Sequence, residues 1–249
     1  MVILSRADRT LVVAHRGASG HMPENTFASF DLAVKMGADM IELDVHPCRD
    51  GDLVVMHDEA VDRTTNGSGR ISEKSLAELG MLDAAAKSSL GRPERVPTFA
   101  EVLERYPRKI PLMVEVKHGS SIYPGIERRV VRELRKHDAE DRVELISFDL
   151  DCLRRLRREA PSLKTGFIFI GNMAVFAGLL KGDADALHGM WNFVTKEHVD
   201  YARSVGRPAF VWTVNSPEDL ASALKLGADG IVSNFPDRVL EAVIKRNRA

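Results

Sequence analysis

Apolar runs of strand length alternate with helical periods along almost the whole chain, and this alternation limits the fold more than any other feature. The runs are Leu11–His15, Met40–Val45, Leu53–His57, Leu112–Lys117, Val143–Phe148, Thr165–Ile170, Ala186–His188, Ala209–Val214 and Gly230–Ser233. Helical spacing falls at Thr26–Lys35, Ser72–Gly80, Thr98–Tyr106, Gly125–Lys136, Leu150–Glu159, Thr195–Ser204 and Pro217–Lys225. Strands alternating with helices predict a parallel sheet covered by helices. A chain of 249 residues has the usual length of one eight-stranded barrel built that way.

Nine runs are one too many for such a barrel. The link from Val45 to Leu53 is too short for the helical crossover that parallel neighbours need. Asp50-Gly51 lies within it as a hairpin turn signal. Leu53–His57 therefore reads as the return arm of a hairpin. A two-residue turn sets His57 opposite Asp44, and a four-residue loop sets it opposite Glu42. The expected fold is an α/β (β/α)8 TIM barrel, one domain over residues 1–249, with a small insertion at about 46–110. That insertion holds the hairpin and an elaborated loop between barrel strands 2 and 3. Lys35-Met36-Gly37-Ala38-Asp39 echoes Lys225-Leu226-Gly227-Ala228-Asp229, and Gly182-Asp183-Ala184-Asp185 is a looser copy. The first two read as a helix ending at a left-handed glycine before the next strand.

Two of the strands carry charge. Side chains at i and i+2 share a face of a strand, so Glu42 pairs with Asp44, and Glu115 with Lys117. Buried charges are costly unless they meet each other, a metal or a charged ligand. In a parallel barrel these residues, with His15 and Trp212, fall at the C-terminal ends of the strands, where barrel active sites lie. Three carboxylates without nearby cysteine suit Mg²⁺ or Ca²⁺ better than zinc. The competing reading is a salt-bridge cluster with Lys117 and Arg16, which leaves three carboxylates facing two cations. His15 and His57 at one mouth are candidates for acid/base chemistry. Arg16 offers a donor fork suited to phosphate oxygens. Trp212 is either core or the apolar wall of a pocket. Asn25 or Thr26 caps the first helix. His188 and Trp191 are candidates to line the site, and His46 has no evident partner.

The formal net charge of −1 gives no global field for nucleic acid or an anionic membrane. Cys48 and Cys152 allow one disulfide at most, and two free thiols in a reducing compartment is the reading adopted. Met1–Arg6 lacks an h-region, and no apolar run reaches membrane-spanning length, so a cytoplasmic protein is expected.

His15-Arg16-Gly17, Pro23-Glu24-Asn25-Thr26, Glu42-x-Asp44, Asp50-Gly51, His57-Asp58, Arg63-Thr64-Thr65, Pro97-Thr98, Glu115-x-Lys117 and Trp212-Thr213-Val214-Asn215 occur in that order. Taken together they resemble the glycerophosphodiester phosphodiesterase family, from residue 15 to about 236. The resemblance implies a (β/α)8 barrel that hydrolyses small-molecule glycerophosphodiesters to glycerol 3-phosphate and an alcohol with one divalent cation. It implies Glu42, Asp44 and Glu115 as metal ligands and His15 and His57 as the acid/base pair. It also implies that Arg16 and Lys117 hold phosphate and that Trp212 lines the pocket. Ser233-Asn234 stands where relatives commonly carry Thr-Asp, and Cys48-Arg49 where Thr-Lys is common. One alternative is a lysophospholipase D, with Met173–Leu180 helping to admit an acyl chain. Another is a non-catalytic phosphate-binding module, which predicts loss of a histidine or carboxylate that this chain retains.

Overall fold

The computed structural model describes residues 9–171 and 183–248. The apolar stretch Met173–Leu180 and the looser repeat at Gly182 lie outside the described residues. The strands are β1 (Leu11–Ala14), β2 (Met40–Pro47), β3 (Leu53–Val55), β4 (Leu112–Val116), β5 (Val143–Ser147), β6 (Lys164–Phe169), β7 (Ala186–Met190), β8 (Ala209–Trp212) and β9 (Gly230–Ser233). The helices are α1 (Phe27–Met36), α2 (Leu76–Gly80), α3 (Phe99–Arg105), α4 (Ile126–Lys136), α5 (Leu150–Glu159), α6 (Lys196–Ser204), α7 (Pro217–Leu226) and α8 (Pro236–Arg248).

The strand order β1-β9-β8-β7-β6-β5-β4-β2-β3, with β1 also paired to β2, closes eight parallel strands into a barrel. β3 stands outside the ring, antiparallel to β2. It is the ninth run, in the hairpin role expected for it. The register differs from both expected ones. Pro47 faces Leu53 and Val45 faces Val55, which sets His57 level with neither Asp44 nor Glu42. Cys48 N–H donates to the Asp52 carbonyl at 2.8 Å, so the loop is the odd-numbered one, Arg49-Asp50-Gly51. Gly51 takes φ +92°, a conformation open to glycine at little cost, and this allows the extra residue.

Two further differences follow from local chemistry. The expected helix at Ser72–Gly80 is a short 3₁₀ turn, Ile71–Glu73, followed by α2, because Ser75 caps a new helix through Glu78. α8 was not anticipated; its first residue is Pro236, a residue suited to a helix start. The repeated turns are as expected, with Gly37 and Gly227 left-handed at φ 80° and 78°. Both cysteines are free and buried. Among the described residues, no helix is long and apolar enough to cross a membrane.

Strand alternation divides the core. Leu11, Val13, Met40, Met113, Ile146, Ile168, Ala186, Phe210 and Val232 form one cluster, the filling of the barrel. Residues of opposite parity, such as Val12, Ile41, Leu43, Val114, Leu145 and Ile231, belong to clusters packed with the helices. Inside the barrel lies a buried polar pair, His188 Nε2 to Glu144 Oε1 at 2.8 Å, with His188 stacked 4.7 Å from Phe210. Gly166 on the intervening strand makes room for it. A Cβ there would sit 2.4 Å from His188 Nε2 and 2.5 Å from Glu144 Oε1. Gly166→Ala should therefore destabilise the fold by about 1–3 kcal/mol, the usual cost of overpacking. Chemical denaturation checks this, and an unchanged midpoint would contradict it.

Candidate active site

Inward parity carries straight from the barrel filling to its mouth. Leu11 and Val13 lead to His15, Met40 to Glu42 and Asp44, Met113 to Glu115 and Lys117, and Phe210 to Trp212. β2 and β4 pair with Asp44 level with Glu115. His15, Arg16, Glu42, His57, Glu115, Lys117 and Trp212 all line one cavity of about 170 Å³. Asp44, the remaining expected site residue, is 1% exposed and lies against Arg16 and Lys117 of that lining. The rest of the lining is His188 and the apolar Met113, Ile146, Phe148, Ile168 and Val232. Trp212 is half-buried, donates from Nε1 to the His188 carbonyl at 2.9 Å, and meets Phe148 edge-on. It is thus both packed and exposed to the cavity.

Glu42, Asp44 and Glu115 offer carboxylate oxygens that all lie within 4.8 Å of one another. Lys117 Nζ is 2.9 Å from Asp44 Oδ1 and 2.7 Å from Glu115 Oε1. Arg16 Nε is 3.4 Å from Asp44 Oδ2. Glu42 receives the Arg16 backbone N–H at 2.9 Å and has His15 Nε2 at 4.0 Å. Three buried carboxylates thus face two cations. Burial, then the charge of Asp44, raises the Glu42 carboxyl well above its ordinary value. Burial likewise raises Glu115 to about 7 despite Lys117. Burial opposes ionisation of Asp44 too, but Lys117 and Arg16 outweigh it and hold Asp44 below the usual range. Asp44 Oδ1 has no aligned hydrogen-bond donor. This excess of buried negative charge, presented by hard oxygen donors, fits a divalent cation such as Mg²⁺ or Ca²⁺.

Each histidine is fixed through Nδ1. His15 Nδ1 is 2.6 Å from Asn234 Oδ1, and an amide oxygen can only accept. His57 Nδ1 is 2.6 Å from Asp58 Oδ1. Both rings therefore carry the Nδ1 proton and leave Nε2 for the cavity. Burial, then Arg16, lowers His15 to about 4, and burial also lowers His57.

Sequence reasoning missed the residues that hold these groups. Asn25 does not cap α1; Thr26 does, accepting from Ser29 N–H. Asn25, 3% exposed with φ +56°, instead donates from Nδ2 to Asp44 Oδ2 at 2.8 Å. His46 is fully buried and donates from Nε2 to the His57 carbonyl at 3.0 Å, while Tyr123 lies 3.2 Å from its Nδ1. His188 does line the cavity, but Trp191 does not; it packs with the cluster that includes Val211 and Leu220. No residue type in these positions signals such roles, except that Asp58 follows His57 directly.

An acidic cluster with paired histidines at the C-terminal mouth of a parallel barrel defines a barrel enzyme site. This chain belongs to the glycerophosphoryl diester phosphodiesterase family, whose sequence pattern matches residues 15–238. It is 40% identical over 240 residues to a glycerophosphodiester phosphodiesterase of Caldanaerobacter subterraneus subsp. tengcongensis, covering 95% of this chain and 99% of that protein. It is 35% identical over 250 residues to the glycerophosphodiester phosphodiesterase of Bacillus subtilis, covering 92% and 85%. Its fold is similar to that of an Oleispira antarctica phosphodiesterase solved in complex with the product sn-glycerol-3-phosphate. The TM-score is 0.83 at 27% identity, covering 94% of this chain and 96% of the other.

Proposed function

We propose that this chain hydrolyses glycerophosphodiesters to glycerol 3-phosphate and an alcohol. The carrying observation is the group of three buried carboxylates within 4.8 Å of one another, in a cavity that also holds two histidines, an arginine and a lysine. Glu42, Asp44 and Glu115 would hold one Mg²⁺ or Ca²⁺. Such an ion supplies neutralising charge to a phosphoryl oxygen in the transition state. Arg16 and Lys117 bind the remaining phosphoryl oxygens, and Trp212 walls the organic part of the substrate. At Nε2, one of His15 and His57 takes the proton of the nucleophile as its oxygen bonds to phosphorus. The nucleophile is water, or the neighbouring glycerol hydroxyl, in which case a cyclic phosphate forms and water then opens it to glycerol 3-phosphate. The P–O bond to the alcohol breaks, and the other histidine returns a proton to the departing alkoxide.

The test is a panel of glycerophosphocholine, glycerophosphoethanolamine and lysophosphatidylcholine, run with EDTA, Mg²⁺ and Ca²⁺. The glycerophosphodiesters are the expected substrates. Chelation should lower turnover by about two orders of magnitude or more, since a catalytic ion is worth several kcal/mol, and Mg²⁺ or Ca²⁺ should restore it. Full turnover in metal-free protein, or binding without turnover in the presence of metal, would contradict the proposal.

A further inference from the structure

Arg63 stands outside the cavity but bonds to both sides of it. Its guanidinium makes four hydrogen bonds to two carboxylates. Nε and Nη2 reach Asp58 Oδ2 and Oδ1 at 2.6 and 3.0 Å. Nη1 and Nη2 reach Glu24 Oε2 and Oε1 at 2.8 and 2.7 Å. Asp58 in turn receives His57 Nδ1–H at 2.6 Å. Glu24 receives Arg16 Nη1 at 3.0 Å. The chain of contacts His57–Asp58–Arg63–Glu24–Arg16 thus joins the loop after β3 to the loop after β1. Arg63 is carried by a pinned turn: Val61 and Thr65 are fully buried, Val61 N–H donates to the Gly69 carbonyl at 3.0 Å, and Ala60 pairs with Arg70.

We infer that Arg63 is a positioning residue that sets the His57 imidazole and the Arg16 guanidinium in register with each other. The inference rests on the functional reading above for the use made of both groups. Asp58 can fix the His57 ring only if its own carboxylate is fixed, and the Arg63 fork does that. Glu24 orients Arg16, whose backbone already takes φ +54°, and Arg63 holds both of its oxygens. A lysine cannot replace the fork, because one ammonium cannot meet two carboxylates bidentately. The strap lies partly in water, so its contribution to folding stability is small and its effect falls on geometry.

The experiment combines steady-state kinetics on glycerophosphocholine with ¹⁵N spectra of the histidine rings. In Arg63→Ala, kcat should fall about tenfold and KM should rise about fivefold, the scale of losing a group that orients catalytic and binding side chains. The His57 ring should lose its single Nδ1-protonated form. Asp58→Asn should affect chiefly kcat, Glu24→Gln chiefly KM, and Arg63→Ala/Asp58→Asn should lose no more than about twofold in kcat beyond Arg63→Ala. Arg63→Lys, which keeps the charge, should fall between parent and Arg63→Ala. An Arg63→Ala protein with kcat and KM both within twofold of the parent would overturn the inference. So would a fall in kcat with KM and the His57 spectrum unchanged, the signature of a smaller folded fraction. A parent that hydrolyses no glycerophosphodiester would instead sink the functional reading, and the His57 spectra alone would then decide whether Arg63 positions the ring.

Discussion

Glu42→Gln should lower turnover of glycerophosphocholine by about three orders of magnitude while leaving the fold at least as stable as the parent in EDTA. The expected loss is that of a metal ligand whose ion is worth several kcal/mol in the transition state. The stability half of the prediction comes from the electrostatics. Glu42 is 4% exposed, and burial with the neighbouring Asp44 charge raises its pKa well above the ordinary value. A carboxyl with a raised folded pKa takes up a proton more readily in the native state than in the unfolded one. Its ionisation as pH rises therefore weakens the fold, and a neutral isostere removes that penalty. Glutamine also keeps an oxygen for the Arg16 backbone N–H. Thermal unfolding in EDTA at neutral pH and steady-state kinetics in Mg²⁺ check the two halves. A variant with near-parental turnover would contradict the ligand assignment, and one that unfolds far earlier would contradict the electrostatic account. Asp44 is a poorer probe, because it pairs with both Lys117 and Arg16, and its removal leaves these buried cations with only Glu115 and Glu24 respectively.

The second large effect is expected at the histidines. His57→Ala and His15→Ala should each lower kcat by about two to four orders of magnitude, the usual contribution of a general acid or base. Neither histidine is itself a proposed metal ligand, so metal affinity measured by calorimetry should change far less than turnover. The two rings differ in their supports. His57 leans on a carboxylate, Asp58, and His15 on an amide, Asn234. Near-normal turnover in either purified variant would remove that residue from the mechanism.

Much of this site was legible because strand parity is strict. Once Met113 and Ile146 are read as barrel filling, Glu115 and Phe148 must project to the same interior. Counting strands and connection lengths sufficed to set β3 aside as a hairpin arm. The hairpin register was not legible, because two-, three- and four-residue loops are all compatible with Asp50-Gly51 and a one-residue slip changes every pairing. Asn25 was hidden by a local signal: a polar residue before Thr26 looks like a cap, and only the folded chain brings it beneath Asp44. Asn234 and His46 were hidden for the opposite reason. Their partners, His15 and the His57 carbonyl, are 219 and 11 residues away, and nothing in the composition of either neighbourhood marks the contact. Trp191 failed as a lining candidate because it packs against the cluster formed by α7 and the outer faces of the last strands.

The account stands on one ion held by side chains from two adjacent barrel strands. Anomalous diffraction from crystals grown with Mn²⁺, a stand-in for Mg²⁺, addresses it directly. The expected map has a single strong peak bonded to oxygens of Glu42, Asp44 and Glu115, with His15 and His57 lining the same cavity. A metal peak elsewhere, or none at those carboxylates with Mn²⁺ in excess, would contradict it.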